Sequence, residues 1–517
     1  MKPNECRSQL VIRYIGIILI LIGITLAICW PFVFNHMLTK KLPLSPTAKA
    51  FDEWKKPSVP LYLDVYFFNW TNSDEFHDET KKTKLKEIGP YRFREIRDKT
   101  NVEFNDANAT VSYRTLSTFY FDDDGSKGKL DDVITQLNIV AVGASAQSLN
   151  MEYTKKKHIS LGLNVYEQTI AISKTARELL FEGYEDNMVL MGREGLIEGF
   201  DVQDIPYDRI GWFYLRNDTD QLSGDYNVNT GSDDISKLGT IQNYNHMNYN
   251  KFYSGECSKL HGSTGELFPP NRMKDSINLF MPDMCRSIPF DYETDVKIHG
   301  VDGYRFTCGA RALNNGSEFP ENLCYSNSGE TIHSGVMNIS ACRYGSPIFM
   351  SLPHYFKADP FYLNAVEGLA PNKDKHESYF TIEPMTGAPL EVTIRFQANL
   401  LVQPIEEISL FQEVRRVFMP VMWFEQKYQM DEKTAKMIKF AVTIPWIGRI
   451  IGIILFALGL ILCIISFIMC CVNARKMSHK DETEINLGER NVQTHFKKEV
   501  SPLLSRGKMP KIVRNSN

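Results

Sequence analysis

The chain has 517 residues and a formal net charge of −4, with 58 Lys and Arg against 62 Asp and Glu. That near balance gives no reason to propose nucleic acid as a partner. Length alone gives only a soft expectation of several domains, and the polar average conceals two strongly apolar runs.

Residues 1–13 are a short tail containing Lys2, Arg7, Arg13 and one cysteine, Cys6. The first apolar run, residues 14–34, follows. A helix needs roughly 20 apolar residues to cross a ~30 Å hydrocarbon core, and this run is about that long. A secretory signal has a shorter apolar region, about 7–15 residues, before a small-residue cleavage site. Here the run ends in Trp30-Pro31-Phe32 without such a site, so it is read as an uncleaved signal-anchor. The second span is expected at residues 447–472, where Ile450 to Val472 is free of charge. Neither uncharged run offers a charged lining for an ion path, which argues against a two-span channel. Gly16, Gly23, Gly448, Gly452 and Gly459 permit close helix packing, read here as an anchor pair with some self-association into a homo-oligomer.

Five glycosylation sequons, at Asn69, Asn108, Asn217, Asn315 and Asn338, all lie between the spans. They place residues 35–446 in the lumen or outside the cell and both termini in the cytosol. Arg475, Lys476 and Lys480 after the second span agree. Trp30 and Trp446 then belong to the same outer interface. Cys257, Cys285, Cys308, Cys324 and Cys342 cluster in one part of this ectodomain. In an oxidising compartment they read as a disulfide framework, with at least one cysteine left unpaired and fifteen two-bridge pairings open.

Within the ectodomain, Leu61 to Asn69 reads as a strand and Lys86 to Phe93 as a turn followed by a strand. Residues 131–182 form a helical district. In it Thr175-Ala-Arg-Glu178 makes a capping box before Leu179, and Gly183 can end that helix. The district carries Lys155, Lys156, Lys157 and His158. These read first as a solvated helix end, and in the sharper alternative as a landing site for anionic particles. From Val392 to Val402 apolar residues alternate with Thr393, Arg395, Gln397 and Asn399, the pattern of a half-buried antiparallel strand. The polar tail, residues 473–517, reads as disordered.

Catalytic patterns are missing. There is no phosphate-binding G-x-x-x-x-G-K-[ST] loop and no H-E-x-x-H, and Gly143-Ala-Ser-Ala-Gln147 fails the nucleophile-elbow pattern at its last position. Asp122 to Asp124 lack the spacing of a calcium loop. No enzyme, cofactor or metal site is therefore expected. In the tail, Glu499-Val-Ser-Pro-Leu503-Leu504 fits an acidic dileucine signal, which an extended peptide presents to a clathrin adaptor. Cys470 and Cys471 at the inner edge of the second span and Cys6 near the first are palmitoylation candidates, against a reading as buried or free reduced thiols.

Several ordered blocks carry a resemblance. They are Trp54 with Pro60-Leu-Tyr and Phe67-Phe-Asn-Trp-Thr-Asn72, Glu87-Ile-Gly-Pro-Tyr91, Thr110-Val-Ser-Tyr-Arg114, and Phe268-Pro-Pro270. Met284-Cys-Arg-Ser287, Ser351-Leu-Pro-His354, Gly368-Leu-Ala-Pro371 and Ile382-Glu-Pro-Met-Thr-Gly387 continue the series. Together with the two spans, they make nearly the whole chain resemble the class B scavenger receptor family. The resemblance implies a mainly β fold with some α: a large antiparallel β-barrel ectodomain, a helical bundle at its apex, an internal apolar tunnel and two transmembrane helices. It implies bridges Cys257–Cys324 and Cys285–Cys342. The chain departs from three-bridge members, since Ser326 stands where one partner often lies and Cys308 is left over. Set beside the fatty-acid-binding members, the chain lacks their apical lysine in the aligned stretch Leu163-Asn-Val-Tyr-Glu167, and Lys155 to Lys157 are the candidate substitutes the resemblance suggests. The function implied is capture of fatty acids, sterols, phospholipids, lipoproteins or anionic particles, with lipid passed through the tunnel to the membrane. The alternatives are a lysosomal membrane protein that sorts a lumenal cargo protein or exports lipid, and a phagocytic receptor for apoptotic cells or microbes. The expected location is the plasma membrane, the endosome–lysosome membrane, or both.

Overall fold

The structure, a computed structural model, describes residues 3–194, 207–326 and 332–500. The chain divides into two compact units, one of residues 37–442 and one of the two terminal helical stretches.

The terminal unit is built from helix α1 (Pro3–Lys41) and the C-terminal helix (Glu432–Val500). Both contain stretches long and apolar enough to cross a membrane, Ser8–Lys41 and Glu432–Gly488. Their glycines face each other. A Cβ on Gly23 would lie 2.5 Å from Phe456 N and 2.7 Å from the Gly452 carbonyl oxygen, and one on Gly459 would lie 2.6 Å from the Gly16 carbonyl oxygen. The small residues read from sequence as a self-association face are thus used inside the chain, letting two backbones of the same molecule touch. The Trp30 indole donates to the Ile444 carbonyl at 3.2 Å, which brings Trp30 and Trp446 to the same end of the pair. The tail differs from the disordered segment expected: the helix continues to Val500. Residues 473–500 hold no proline and are rich in Glu and Lys, good helix formers that prolong a helix already nucleated in the span.

In residues 37–442 the chain first forms α2 (Lys49–Lys55), then the strands β1 (Leu61–Trp70), β2 (Thr83–Asn105) and β3 (Thr110–Phe121). The hairpin β4 (Val133–Leu137) and β5 (Ala171–Thr175) encloses helices α3 (Ile139–Ser148) and α4 (Tyr153–Val165). Further along come β6 (Tyr226–Asn229), β7 (Ile241–Tyr244), β8 (Ser276–Met281), β9 (Arg286–Ile298) and β10 (Val301–Cys308). The last strands are β11 (Val336–Asn338), β12 (Ile348–Ser351), β13 (Val366–Glu367), β14 (Tyr379–Ile382), β15 (Pro389–Val402) and β16 (Val417–Gln429). Fourteen of these join one sheet in the order β7-β6-β3-β2-β1-β16-β15-β14-β10-β9-β8, with β12 and β11 branching from β15 and β13 beside β2. The two ends of the order meet through Ser263, which bridges to Thr240 on one side and to Leu279 on the other. The sheet is therefore a nearly closed antiparallel barrel, an arrangement that leaves little free edge.

Two local expectations are corrected. Lys86 to Phe93 contains no chain reversal but a bulge inside β2: Val65 pairs with Tyr91 while Phe67 pairs with Ile88. Gly89 takes φ 127°, and a Cβ there would meet the Val65 carbonyl at 2.8 Å. The second correction concerns β15. Its alternation is real, but the polar side is not solvated: Thr393, Arg395, Gln397 and Asn399 are all buried. Asn399 donates to the Phe349 carbonyl and to Ser351 at 3.0 Å. Arg395 pairs with Glu425 at 2.5 Å and donates to the Glu377 carbonyl at 2.8 Å. Gln397 accepts from His354 N, and Arg395 also donates to the Asp374 carbonyl, so the segment around 352–378 covers the polar face of this wall.

Candidate functional site

The helical district is assembled from capped, short elements. Asn138 starts α3: its side-chain oxygen accepts from the amides of Val140 and Ala141 at 3.1 and 3.3 Å. Its amide nitrogen donates to Gln168 and to the Thr169 carbonyl, tying the start of α3 to the exit of α4. The capping box forms, with Glu178 accepting from Thr175 N at 2.8 Å, and Gly183 ends that turn at φ 70°. Most of α3 is buried. α4 is different. It seats Ile159 and Leu163 inward, and the Ser160 hydroxyl accepts from Ser409 N at 3.1 Å.

The outward side of α4 carries apolar residues. Tyr153, Leu161 and Val165 are 66%, 60% and 62% exposed; at about 100° per residue they spread over an arc of about 120° on the side away from the buried Ile159 and Leu163. The predicted lysines divide. Lys156 is half-buried and reaches Glu407 at 3.4 Å, so it is a structural contact. Lys157 lies 5.6 Å from the centre of the Tyr153 ring, on the apolar side. Lys155 is exposed and makes no ion pair among the described residues. The outward surface is therefore a mixed one, apolar with two cations, rather than a purely basic landing site. Sequence reading counted the charges and missed the apolar side chains, although their spacing opposite Ile159 and Leu163 was the available signal.

Cys257–Cys324 and Cys285–Cys342 are bonded, and Cys308 is a buried thiol whose burial pushes its pKa up to about 12. Asn108 and Asn217 are exposed; Asn69, Asn315 and Asn338 are half-buried, their side chains already hydrogen-bonded. Cys470 and Cys471 are exposed on the C-terminal helix. The side chains of Cys6 and Glu499, and Leu503 and Leu504 entirely, lie outside the described residues.

One buried cluster has the parts of a catalytic relay. His354 Nε2 lies 2.5 Å from a Glu87 oxygen that also accepts from the Trp423 indole at 2.8 Å. His354 Nδ1 accepts from Ala370 N at 3.0 Å, so the proton sits on Nε2 and is donated to the carboxylate. Both ring nitrogens are occupied, which leaves none for a substrate. His376 stacks on His354 at 4.3 Å and accepts from Asn372 N at 2.9 Å. Burial first, then the neighbouring His354, push the His376 imidazole down to about 3. Burial opposes ionisation of Glu87, but the hydrogen bonds from His354 and Trp423 hold it below the usual carboxylate range. The cluster is a structural lock. Among the described residues no group of three His, Cys, Asp or Glu side chains is placed to hold a metal ion.

The model of the CD36 family matches residues 14–470. The chain is similar to Protein peste of Drosophila melanogaster, 40% identical over 462 residues, 89% of this chain and 82% of that one. It is similar to scavenger receptor class B member 1 of Bos taurus, 30% identical over 466 residues and 89% of each chain. It is also similar to lysosome membrane protein 2 of Homo sapiens, 31% identical over 456 residues, 86% of this chain and 91% of that one.

Proposed function

Because this chain belongs to the CD36 family, whose members are receptors and not enzymes, we propose that it is a two-span class B scavenger receptor that captures lipid-coated particles on α4 and passes lipid through its barrel to the membrane. The observation that carries the reading is the outward side of α4, with Tyr153, Leu161 and Val165 beside Lys155 and Lys157. A lipid surface presents anionic headgroups over apolar chains, the complement of such a helix. Half-burying three large apolar side chains is worth about 3–4 kcal/mol. Two lysines near anionic headgroups add about 2 kcal/mol. The sum corresponds to a dissociation constant on the order of 0.1 mM per receptor, so firm capture requires several receptors on one particle. An acyl chain crossing water exposes about 0.8 kcal/mol per methylene, the cost an apolar tunnel removes without catalytic residues. The test is binding of anionic phospholipid vesicles by the full chain in cells. Leu161→Asp/Val165→Asp should abolish binding and Lys155→Ala weaken it, while Lys156→Ala at the Glu407 contact leaves it largely intact. Undiminished binding by the double aspartate variant would sink the reading.

A second reading, residence in endosome–lysosome membranes, is favoured by the likeness to lysosome membrane protein 2 and by Glu499-Val-Ser-Pro-Leu503-Leu504. It places both termini in the cytosol, where a clathrin adaptor reads the dileucine, and it allows lumenal cargo as the ligand of α4. Steady-state imaging of Leu503→Ala/Leu504→Ala decides it. Redistribution to the cell surface is expected, and an unchanged pattern would remove the sorting signal.

A further inference from the structure

A second site lies on the barrel wall formed by the ends of β2 and β3 and by β6 and β7. There a groove of about 490 Å³ is lined by Asn105, Asn108, Thr110, Asn227, Gln242 and Asn243. Every lining side chain is an amide or a hydroxyl and none is charged. The strand register explains the cluster: Asn105 pairs with Thr110, and Asn227 with Asn243, so their side chains gather on the side opposite the buried Val111 and Val228. Several of the amides are already oriented. Asn227 donates to Thr110 Oγ1 at 3.2 Å and Ser112 Oγ at 2.9 Å, which leaves its carbonyl oxygen open. Gln242 accepts from Asn229 at 3.2 Å through its oxygen, which leaves its amide nitrogen open as a donor. Among the described residues neither open group has a protein partner, and the Asn108 side chain has none either.

A neutral concavity with fixed donors and acceptors suits an uncharged, polyhydroxylated ligand, and a groove of this size holds a small ligand. One such ligand has its attachment point in the lining itself. Asn108-Ala109-Thr110 is a sequon whose Asn108 is exposed on the turn that leads into β3. We propose that the groove seats the first sugars of an N-linked glycan carried by Asn108, holding them against the β6–β7 wall. This rests on the lumenal placement of residues 35–446. In the attachment step Asn108 Nδ2 bonds to C1 of the sugar. The bond from C1 to the lipid pyrophosphate donor breaks, and Nδ2 releases one proton and keeps one N–H. The N-acetyl groups and ring hydroxyls then meet the Asn227 oxygen and the Gln242 and Asn243 amides.

A seated glycan core is shielded from trimming and extending enzymes, whereas one on an open turn is not. Asn217 is the internal comparison: it is exposed and lies outside the groove. The experiment is site-by-site glycopeptide mass spectrometry of the full chain expressed in mammalian cells. Expected is a glycan at Asn108 that stays oligomannose while that at Asn217 is processed. In Gln242→Ala/Asn243→Ala the processed fraction at Asn108 should rise several-fold with Asn217 unchanged. Asn227→Ala should do the same, and agreement of the two variants separates loss of the seat from misfolding at the Thr110 contact. Equal processing of Asn108 and Asn217 in the natural chain overturns the proposal. So does an unchanged Asn108 glycan in the double variant, or an empty Asn108 beside an occupied Asn217. All five sequons empty would instead overturn the lumenal placement, and the groove reading would fall with it.

Discussion

His376 should make the barrel less stable in acid. The residue is 4% exposed, its Nδ1 accepts from Asn372 N, and its pKa is pushed down to about 3 by burial and by His354. In the unfolded chain the imidazole titrates near ~6.5. Between those values the unfolded state binds the extra proton, so stability is full above the unfolded value and declines as pH falls toward the folded one. From about pH 7.5 to about pH 5 the loss is about 2 kcal/mol. Glu87 acts in the same direction at lower pH, because its folded-state pKa is held below the usual carboxylate range and its contribution is lost as the carboxylate is protonated. For a unit of this size about 2 kcal/mol moves the thermal midpoint by roughly 2 °C. The assay is the midpoint of the purified full chain in micelles across this pH range, for the natural protein and His376→Asn. Asparagine keeps an acceptor for Asn372 N and cannot be protonated, so its curve should be flatter by that amount. Hydrogen–deuterium exchange at the imidazole C2 position gives an independent reading. An inflection for His376 near the ordinary histidine value, or identical pH curves for the two proteins, would refute the reasoning.

Gly23→Leu should force the two terminal helices apart, since even a Cβ there meets Phe456 N at 2.5 Å. A cost of roughly 1–3 kcal/mol is expected, read as a lower melting midpoint in micelles. Gly488→Leu, with nothing within 4 Å, is the control, and equal midpoints for both variants would contradict the seam. Cys257→Ser/Cys324→Ser opens a loop of 67 residues, worth about 4 kcal/mol in the chain-entropy model. Retention before the late secretory pathway should follow, measured by surface biotinylation, and normal delivery would show that the bridge is dispensable.

What was legible in the sequence was local. The alternation in β15, the cap at Thr175 and Glu178 and the two apolar runs depend on neighbours in the chain, and each is found in the structure. Alternation says that two faces differ, however, not what covers the second one. The cover of Gln397 and Arg395 comes from His354, Asp374 and Glu377, and no period in β15 announces it. Gly89-Pro90 reads locally as a reversal, yet β1 pairs on both sides of it and makes it a bulge. Lys156 looked like its two neighbours until Glu407, 251 positions away, claimed it. The amide groove escaped for the same reason: Asn108 and Gln242 are joined only through the β3–β6–β7 pairing.

The buried polar wall also bears on why this barrel adopts one register. Where a strand has one dry and one wet face, a slip by one residue is punished by exposing apolar side chains. In β15 both faces are buried, so hydrophobicity alone discriminates weakly. The polar row supplies the missing discrimination. A slip against β16 would exchange Arg395, Gln397 and Asn399 with Ile394, Phe396 and Ala398, and would part Arg395 from Glu425, its direct cross-strand neighbour. A buried charge stripped of its partner costs about 3–5 kcal/mol. The ring of Tyr66, stacked at 3.9 Å on Trp423, ties β1 to the same register. β1, β15 and β16 form the continuous wall from which β4 and the α3 helix are supported. A precise register there fixes where α4 presents Tyr153, Leu161 and Val165. The histidine lock and the ion pair thus act on the same wall: they hold rigid the strands that support β4 and α3.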